Sequence, residues 1–343
     1  MKIALIGKFY TEGFALHIEE ALHTMGHSTV RIDPEVQFMQ YNFLGQRVKS
    51  INKTIYQQVL HKIPQIRNIK AKEIYKIYQN NEIDLTIVVH DFLSKQEIEQ
   101  IKKINKAPIA IWFPDHMGNF QKSMFYIAGY DFLFFKDKYI VQKLRDEFNL
   151  NAFYLPQCCN PSKHKIVSLS EQDKITYGCQ ITNAGNLYPS RAALYKQLTQ
   201  YDFKMWGAPP AIWLNVPELK HIMMGKSVFN EEKSKAFQSA KIVLNNMLMQ
   251  ELDGVNKRTF EVAACGGFQI ATHNKEINNL FEEDKEIVTY KNFKELKSKI
   301  DYYLDPKNEA ERKQIITAGH KRSINDHTYE IRMKSMLNTI FGK

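Results

Sequence analysis

The segment KIALIGKFYTEGFALHIEEALHTMGHSTVRID, Lys2 to Asp33, passes from a short apolar run through a stretch of helical period to a second apolar run. Lys2 to Gly7 and Ser28 to Asp33 read as strands, and about Gly13 to Met25 reads as the helix joining them, which makes one βαβ unit. Such units build parallel sheets with crossover helices, so the fold class is α/β.

Outward from this unit the pattern continues. A Gln/Lys/Ile-rich stretch from Pro34 to about Asn81 is expected to be helical. Strands are expected at Asp84 to His90, Pro108 to Phe113, Asp131 to Lys136 and Asn151 to Pro156. The period lapses from Pro156 to Asp173, where Pro, Asn, Ser and Lys gather as in a linker. It restarts with strands expected at Lys174 to Ile181, Lys204 to Gly207, Lys241 to Met247, Phe268 to His273 and Glu286 to Tyr290. The helix after them places Phe293, Leu296, Ile300, Tyr303 and Leu304 on one face. A chain of 343 residues suits two domains of roughly 150 residues. The expected division is 1–158, 172–324 and a last helix, 325–343, that can pack back on the first domain. Two doubly wound domains imply a cleft.

Composition narrows the class. With 44% hydrophobic and 24% charged residues the chain can bury a sizeable core. The start is an apolar strand without the basic lead and apolar h-region of a secretion signal. No run approaches the roughly 18 apolar residues of a membrane span. Cys158, Cys159, Cys179 and Cys265 lack framework spacing and read as reduced thiols, so a cytoplasmic protein is expected. The net charge of +10 suits anionic partners, among them nucleotides, an anionic membrane surface and nucleic acid, without choosing between them.

The sharpest local signal is QELDGVNKRTFEVAACGGFQIATH, Gln250 to His273. A loop with Asp253 and Gly254 leads to a helix that begins near Asn256 and ends at Gly266-Gly267. A helix start suits a pyrophosphate. Lys257 and Arg258 add donors there, and Glu261, one turn on, offers two acceptors for ribose hydroxyls. Upstream, GCQITNAGNLYPSRAALYKQL sets a polar loop at the carboxyl end of a strand, the side that faces a binding crevice. Arg191 lies on the helix that follows, and Tyr188 and Asn183 are candidates for the base or phosphates. In the first domain Gly7 and Gly13 permit close backbone approach, and His17 on the following helix is a candidate for the cleft. His90-Asp91 and Asp115-His116 each follow an apolar strand, again on the carboxyl side. A carboxylate there can take or orient an acceptor's proton.

The spacing from Asp253 to Glu261, followed by Ala-Cys-Gly-Gly, resembles the nucleotide-sugar signature of retaining GT-B glycosyltransferases. R-T-F-E-V-A-A-C-G-G, with EIVTYKNFKELKSKIDYYL and GHKRSINDHTYEIRMKSML, is similar to the spore-maturation-protein B (CgeB) type, most strongly from about Asn245 to Leu337. The resemblance implies two facing Rossmann-like domains, the second binding a nucleotide diphosphate sugar and the first contacting a hydroxyl acceptor. It implies a ribose contact for Glu261 and, through the similarity of WFPDHM to a W-x-x-D element, a chemical or acceptor-binding role for Asp115. Asp253 stands where the wider superfamily has Glu, one methylene longer. Retention is expected. No D-x-D and no zinc-like His/Cys spacing occurs, so neither metal nor cofactor is expected. Arg258, Arg191 and Lys257 are then the groups to stabilise the leaving diphosphate. Two other readings stay open: transfer to hydroxymethylated DNA bases, and a nucleotide-sugar binder without turnover.

Overall fold

The computed structural model describes residues 1–34, 64–116, 123–211 and 213–342. By its contacts the chain divides into two compact units. One is Met1–Pro114, Phe120–Phe135 and Val141–Phe153, and the other Asp115–Asn119, Lys136–Ile140 and Tyr154–Lys343.

The first unit is built on a six-stranded sheet of β1 (Lys2–Ile6), β2 (Ser28–Ile32), β3 (Leu85–Val89), β4 (Ile109–Phe113), β5 (Phe132–Phe135) and β6 (Ala152–Tyr154), in the order β2-β1-β3-β4-β5-β6. All six strands lie where the apolar runs place them. β1 pairs in parallel with both β2 and β3, so the winding direction reverses there and opens a switch point at the carboxyl ends. β3 and β4, Leu-Thr-Ile-Val-Val and Ile-Ala-Ile-Trp-Phe, are buried at every position. Continuous apolar runs of this kind mark strands covered on both faces.

Helix α1 (Phe14–Thr24) covers one face, its Phe14 ring edge-on to Trp112 at 4.6 Å. It starts at Gly13, where a Cβ would stand 2.8 Å from the Tyr10 carbonyl oxygen, so this turn is closed to any side chain. Of the stretch expected to be helical from Pro34 to Asn81, Pro64–Gln79 forms α2, and residues 35–63 lie outside the described residues. Helices α3 (Lys95–Ile104) and α4 (Lys138–Asp146) precede β4 and β6.

The second unit holds a five-stranded sheet of β7 (Cys179–Ala184), β8 (Phe203–Trp206), β9 (Ala240–Asn245), β10 (Gln269–Thr272) and β11 (Val288–Tyr290), in the order β11-β10-β9-β7-β8. β7 pairs in parallel with β8 and β9, which repeats the switch point of the first sheet. One expected strand needs correction. Lys174 to Tyr177 belongs to helix α5 (Glu171–Tyr177), and the strand begins only at Cys179. The cause is a capping box: Ser170 Oγ accepts from the Asp173 N–H at 3.1 Å while Asp173 Oδ2 accepts from the Ser170 N–H at 3.0 Å.

The remaining helices are α6 (Pro189–Tyr195), α7 (Asn230–Ser239), α8 (Arg258–Ala264), α9 (Ile277–Leu280), α10 (Phe293–Leu304), α11 (Glu309–Asp326) and α12 (Tyr329–Phe341). On α10, Leu296, Ile300 and Tyr303 are buried as their spacing predicts, whereas Phe293, the first residue of the helix, is exposed. The four cysteines are free thiols, all buried. Among the described residues no helix is long and apolar enough to cross a membrane.

The last helix is fastened within the second unit. Arg332 Nε donates to the Pro156 carbonyl at 3.0 Å, and the Cys159 N–H donates to the His327 carbonyl at 2.9 Å. His327 sits between a pure donor and a pure acceptor. Its Nδ1 accepts from Arg332 at 2.9 Å and its Nε2–H donates to the Leu280 carbonyl at 2.7 Å, which selects the neutral ring. Burial pulls its pKa from 6.5 down to about 4. Between those values the unfolded chain binds a proton that the folded chain does not, so stability falls as pH drops through that window, by roughly 1–3 kcal/mol. Denaturant melts at pH 7 and pH 4.5 should show a smaller pH-dependent loss for His327→Gln than for the wild type. An equal loss in both would contradict this assignment.

Candidate anion and ribose site at the second switch point

The carboxyl ends of β7 and β9 bring two arginines onto one glycine. β7 ends at Ala184, and Gly185 continues at φ +144°, a conformation that L side chains rarely adopt. A Cβ at Gly185 would lie 2.2 Å from Arg258 Nη2 and 3.4 Å from Arg191 Nη1. The missing side chain is therefore what admits both guanidiniums. Arg258, the first residue of α8, donates through Nη2 to the Ala184 carbonyl. Arg191, in the first turn of α6, donates through Nη1 to the Asn186 carbonyl at 2.6 Å, with its guanidinium 5.4 Å from the Tyr188 ring centre.

Two like charges at such range oppose each other. Burial first, and the Arg191 charge second, pull the Arg258 pKa down to about 10. Arg191 Nε and Arg258 Nη1 are buried with no hydrogen-bond partner. An unmet buried donor costs about 1–3 kcal/mol, more for a charged group. An anion accepting from both would lift that cost and the repulsion together.

Around the arginines the backbone is pinned by amide side chains. Asn183, fully buried, donates from Nδ2 to the Leu244 carbonyl at 2.7 Å and so ties β7 to β9, while its Oδ1 has no partner. Asn245 Oδ1 accepts from Asn256 at 3.0 Å, and Asn256 Oδ1 accepts from the Thr259 N–H at 3.2 Å. Asn256 thus caps the turn leading into α8, where the sequence places the helix start. Asp253 lies in the loop before it, half-buried, its N–H donating to Asp137 Oδ2 at 3.2 Å.

Glu261 is buried, with 3% of its surface exposed, and is ringed by donors. Lys257 Nζ lies 3.2 Å and His164 Nε2 3.5 Å from its Oε1, and Lys233 Nζ lies 3.3 Å from its Oε2. Burial alone would raise this carboxyl's pKa; the charges of Lys233 and Lys257 outweigh it and hold the group well below the usual carboxylate range. Burial pulls Lys233 down to about 8, with Glu261 acting against the shift.

The other sequence candidates come from segments around the first sheet. Asp115 and His116 follow β4 after Pro114 and are half-buried. His90, at the end of β3, has φ +70° and packs its ring 5.6 Å from Phe113. Asp91 accepts from the Met124 N–H and so caps the turn Met124–Tyr126. His17 is buried on α1, its Nδ1 3.9 Å from Glu20 Oε2. Arg191, Arg258, Lys257, Glu261, Asn183 and Tyr188 thus share one sheet end or the helices leaving it. Lys233 and His164 were invisible to sequence reasoning: one sits on an ordinary charged helix and the other in a segment read as linker.

Residues 190–338 match the family described as "Glycosyl transferase-like". No curated protein matches the sequence. Several solved structures match over the whole chain. A glycosyltransferase from Rickettsia africae superposes with a TM-score of 0.68 at 14% identity, covering 99% of this chain and 97% of that one. Anabaena HepE in complex with UDP and glucose gives 0.68 at 10% identity, with 100% of both chains covered. Sucrose-phosphate synthase from Thermosynechococcus elongatus gives 0.68 at 10% identity and 99% of both. The fold is GT-B. Identities this low carry the architecture, and in GT-B terms the arginine pair stands at the switch point of the carboxyl-terminal Rossmann-like sheet, within the matched region except for Gly185 itself.

Proposed function

We propose that this chain is a GT-B glycosyltransferase of the CgeB-like type that binds a nucleotide diphosphate sugar, with UDP as the favoured nucleotide, in its second unit. One observation carries the reading: two guanidiniums converge on Gly185 with buried N–H groups unmet, at the sheet end where doubly wound folds bind ligands. The diphosphate lies against Arg191 and Arg258, Lys257 adds a third cation, and Glu261 accepts from the ribose. Binding of UDP by HepE, a full-length structural neighbour, supports the choice of nucleotide.

Transfer then moves the sugar's anomeric carbon from the diphosphate oxygen to an acceptor hydroxyl. The arginines carry the charge that develops on the leaving phosphate, without a divalent ion. Asp115, which follows β4 of the first sheet, receives or orients the acceptor proton. Retention follows the signature's likeness to retaining enzymes. The acceptor class is a cell-surface glycan, a lipid-linked sugar or a protein, met in the cytoplasm or at the inner face of the membrane, where the net charge of +10 is favourable.

A thermal-shift panel of nucleotides and nucleotide-sugars, run in EDTA, tests the reading. A ligand that binds only the folded chain raises stability by RT ln(1 + [L]/Kd). UDP and a UDP-sugar are expected to raise the Tm equally with and without chelator. A shift abolished by EDTA would overturn the metal-free mechanism. Binding without transfer or hydrolysis of any sugar would leave a nucleotide-sugar binder that lacks turnover.

A further inference from the structure

We propose that His164 and Lys233 are positioning residues that fix the Glu261 carboxylate for the donor's ribose, and so set the preference for ribonucleotides. The proposal rests on the ribose role given to Glu261 above.

His164 is fully buried and held at both ends of its turn. Its backbone N–H donates to the Asn160 carbonyl at 2.7 Å, and the Asn160 N–H donates to its ring Nδ1 at 3.1 Å. Asn160 is itself pinned, its Oδ1 accepting from the Ser162 N–H at 3.0 Å and the Ser162 hydroxyl at 2.8 Å. A backbone N–H can only donate, so Nδ1 must accept, and the neutral ring carries its proton on Nε2. Nε2 is the nitrogen 3.5 Å from Glu261 Oε1. The segment between the sheets is therefore a built turn that sets one ring N–H facing one carboxylate oxygen at 3.5 Å.

The other oxygen is served from a different element. Lys233, on α7 and 6% exposed, brings Nζ to 3.3 Å from Oε2. A carboxylate held through one oxygen swings about its own bonds. Held through both, by buried groups on separate elements, it keeps one plane.

A carboxylate offers about four lone-pair sites; Lys233 donates to Oε2, while Oε1, faced by His164 and Lys257, has no hydrogen-bond partner among the described residues. Lys257, at 36% side-chain exposure, is the one partner with access to solvent. With Oε1 unmet and Lys257 able to turn toward the diphosphate, the oriented carboxylate keeps acceptor sites for ribose hydroxyls. A buried ion pair is weak evidence of stabilisation, since desolvation consumes most of the attraction. Orientation of a ligand-binding group accounts for two such partners better than stability does.

The test compares UDP with 2′-deoxy-UDP by calorimetric titration into the full-length wild type, Glu261→Gln, His164→Ala, Lys233→Met and Lys233→Arg, each checked for folding by circular dichroism and thermal unfolding. The wild type is expected to prefer UDP by about ten- to a hundredfold, the range for one hydrogen bond to a charged group. In Glu261→Gln, His164→Ala and Lys233→Met the ratio should fall toward one, with 2′-deoxy-UDP affinity changed much less, and Lys233→Arg should recover part of it. A merely structural role would weaken both nucleotides alike. If Lys233→Met does not fold, His164→Ala and Lys233→Arg decide. A wild type that binds both nucleotides equally overturns the ribose role of Glu261 and the proposal with it. Discrimination lost in Glu261→Gln but intact in folded His164 and Lys233 variants overturns the positioning role alone.

Discussion

Arg258→Met is expected to lower sugar transfer by about 10²–10³, the cost of removing one preorganised donor from a developing anion, while leaving the Tm of the ligand-free protein unchanged or raised. The two halves of this expectation have one cause. Arg258 is held against Arg191 with its Nη1 unmet, and burial together with that neighbour lowers its pKa to about 10. The folded protein therefore bears a cost that only an anion repays, a pattern typical of groups kept for function. Methionine keeps much of the stem's packing and removes the charge. Turnover assays beside thermal unfolding check both halves. A large loss of Tm with turnover intact would make Arg258 a structural residue bracing the Ala184 carbonyl.

Asp115→Asn is expected to lower transfer by about 10²–10⁴, the range of general acid–base help, while UDP affinity stays within a few-fold. Asp115 follows the fully buried strand β4, with Pro114 fixing the backbone between them. That sets it at the carboxyl end of a central parallel strand, where doubly wound sheets present their reactive groups. Asparagine keeps size and hydrogen bonding and removes only the ability to take a proton. Transfer at the wild-type rate would reduce Asp115 to a loop cap. Loss of nucleotide affinity instead would reverse the assignment of donor and acceptor roles.

Most of the architecture was legible because parallel strands are buried on both faces and so must be continuous apolar runs. Ile109–Phe113 and Leu85–Val89 could be read without any knowledge of their neighbours. The stretch Lys174–Tyr177 has the Ile and Tyr of a strand, yet the deciding signal is polar, the Ser170/Asp173 capping box that starts a helix. The arginines and Glu261 were legible because their spacing places them at the start of a helix that follows a strand. Their surroundings were not. That Glu261 is enclosed depends on Lys233 and His164, which come from other segments and carry no local pattern. The meeting of Arg191 with Arg258 depends on Gly185, whose positive φ appears only once the strand end is built.

The central claim is that the arginine pair is a nucleotide-diphosphate site. Calorimetric titration of UDP in EDTA, into the wild type and into an Arg191→Met/Arg258→Met double variant, tests it most directly. The account predicts saturable one-to-one binding by the wild type and loss of at least about a hundredfold in a folded double variant, since each charge-assisted contact contributes about 1.5–3 kcal/mol. A wild type that binds neither UDP nor any other nucleoside diphosphate, or a double variant that binds UDP as tightly as the wild type, would contradict it.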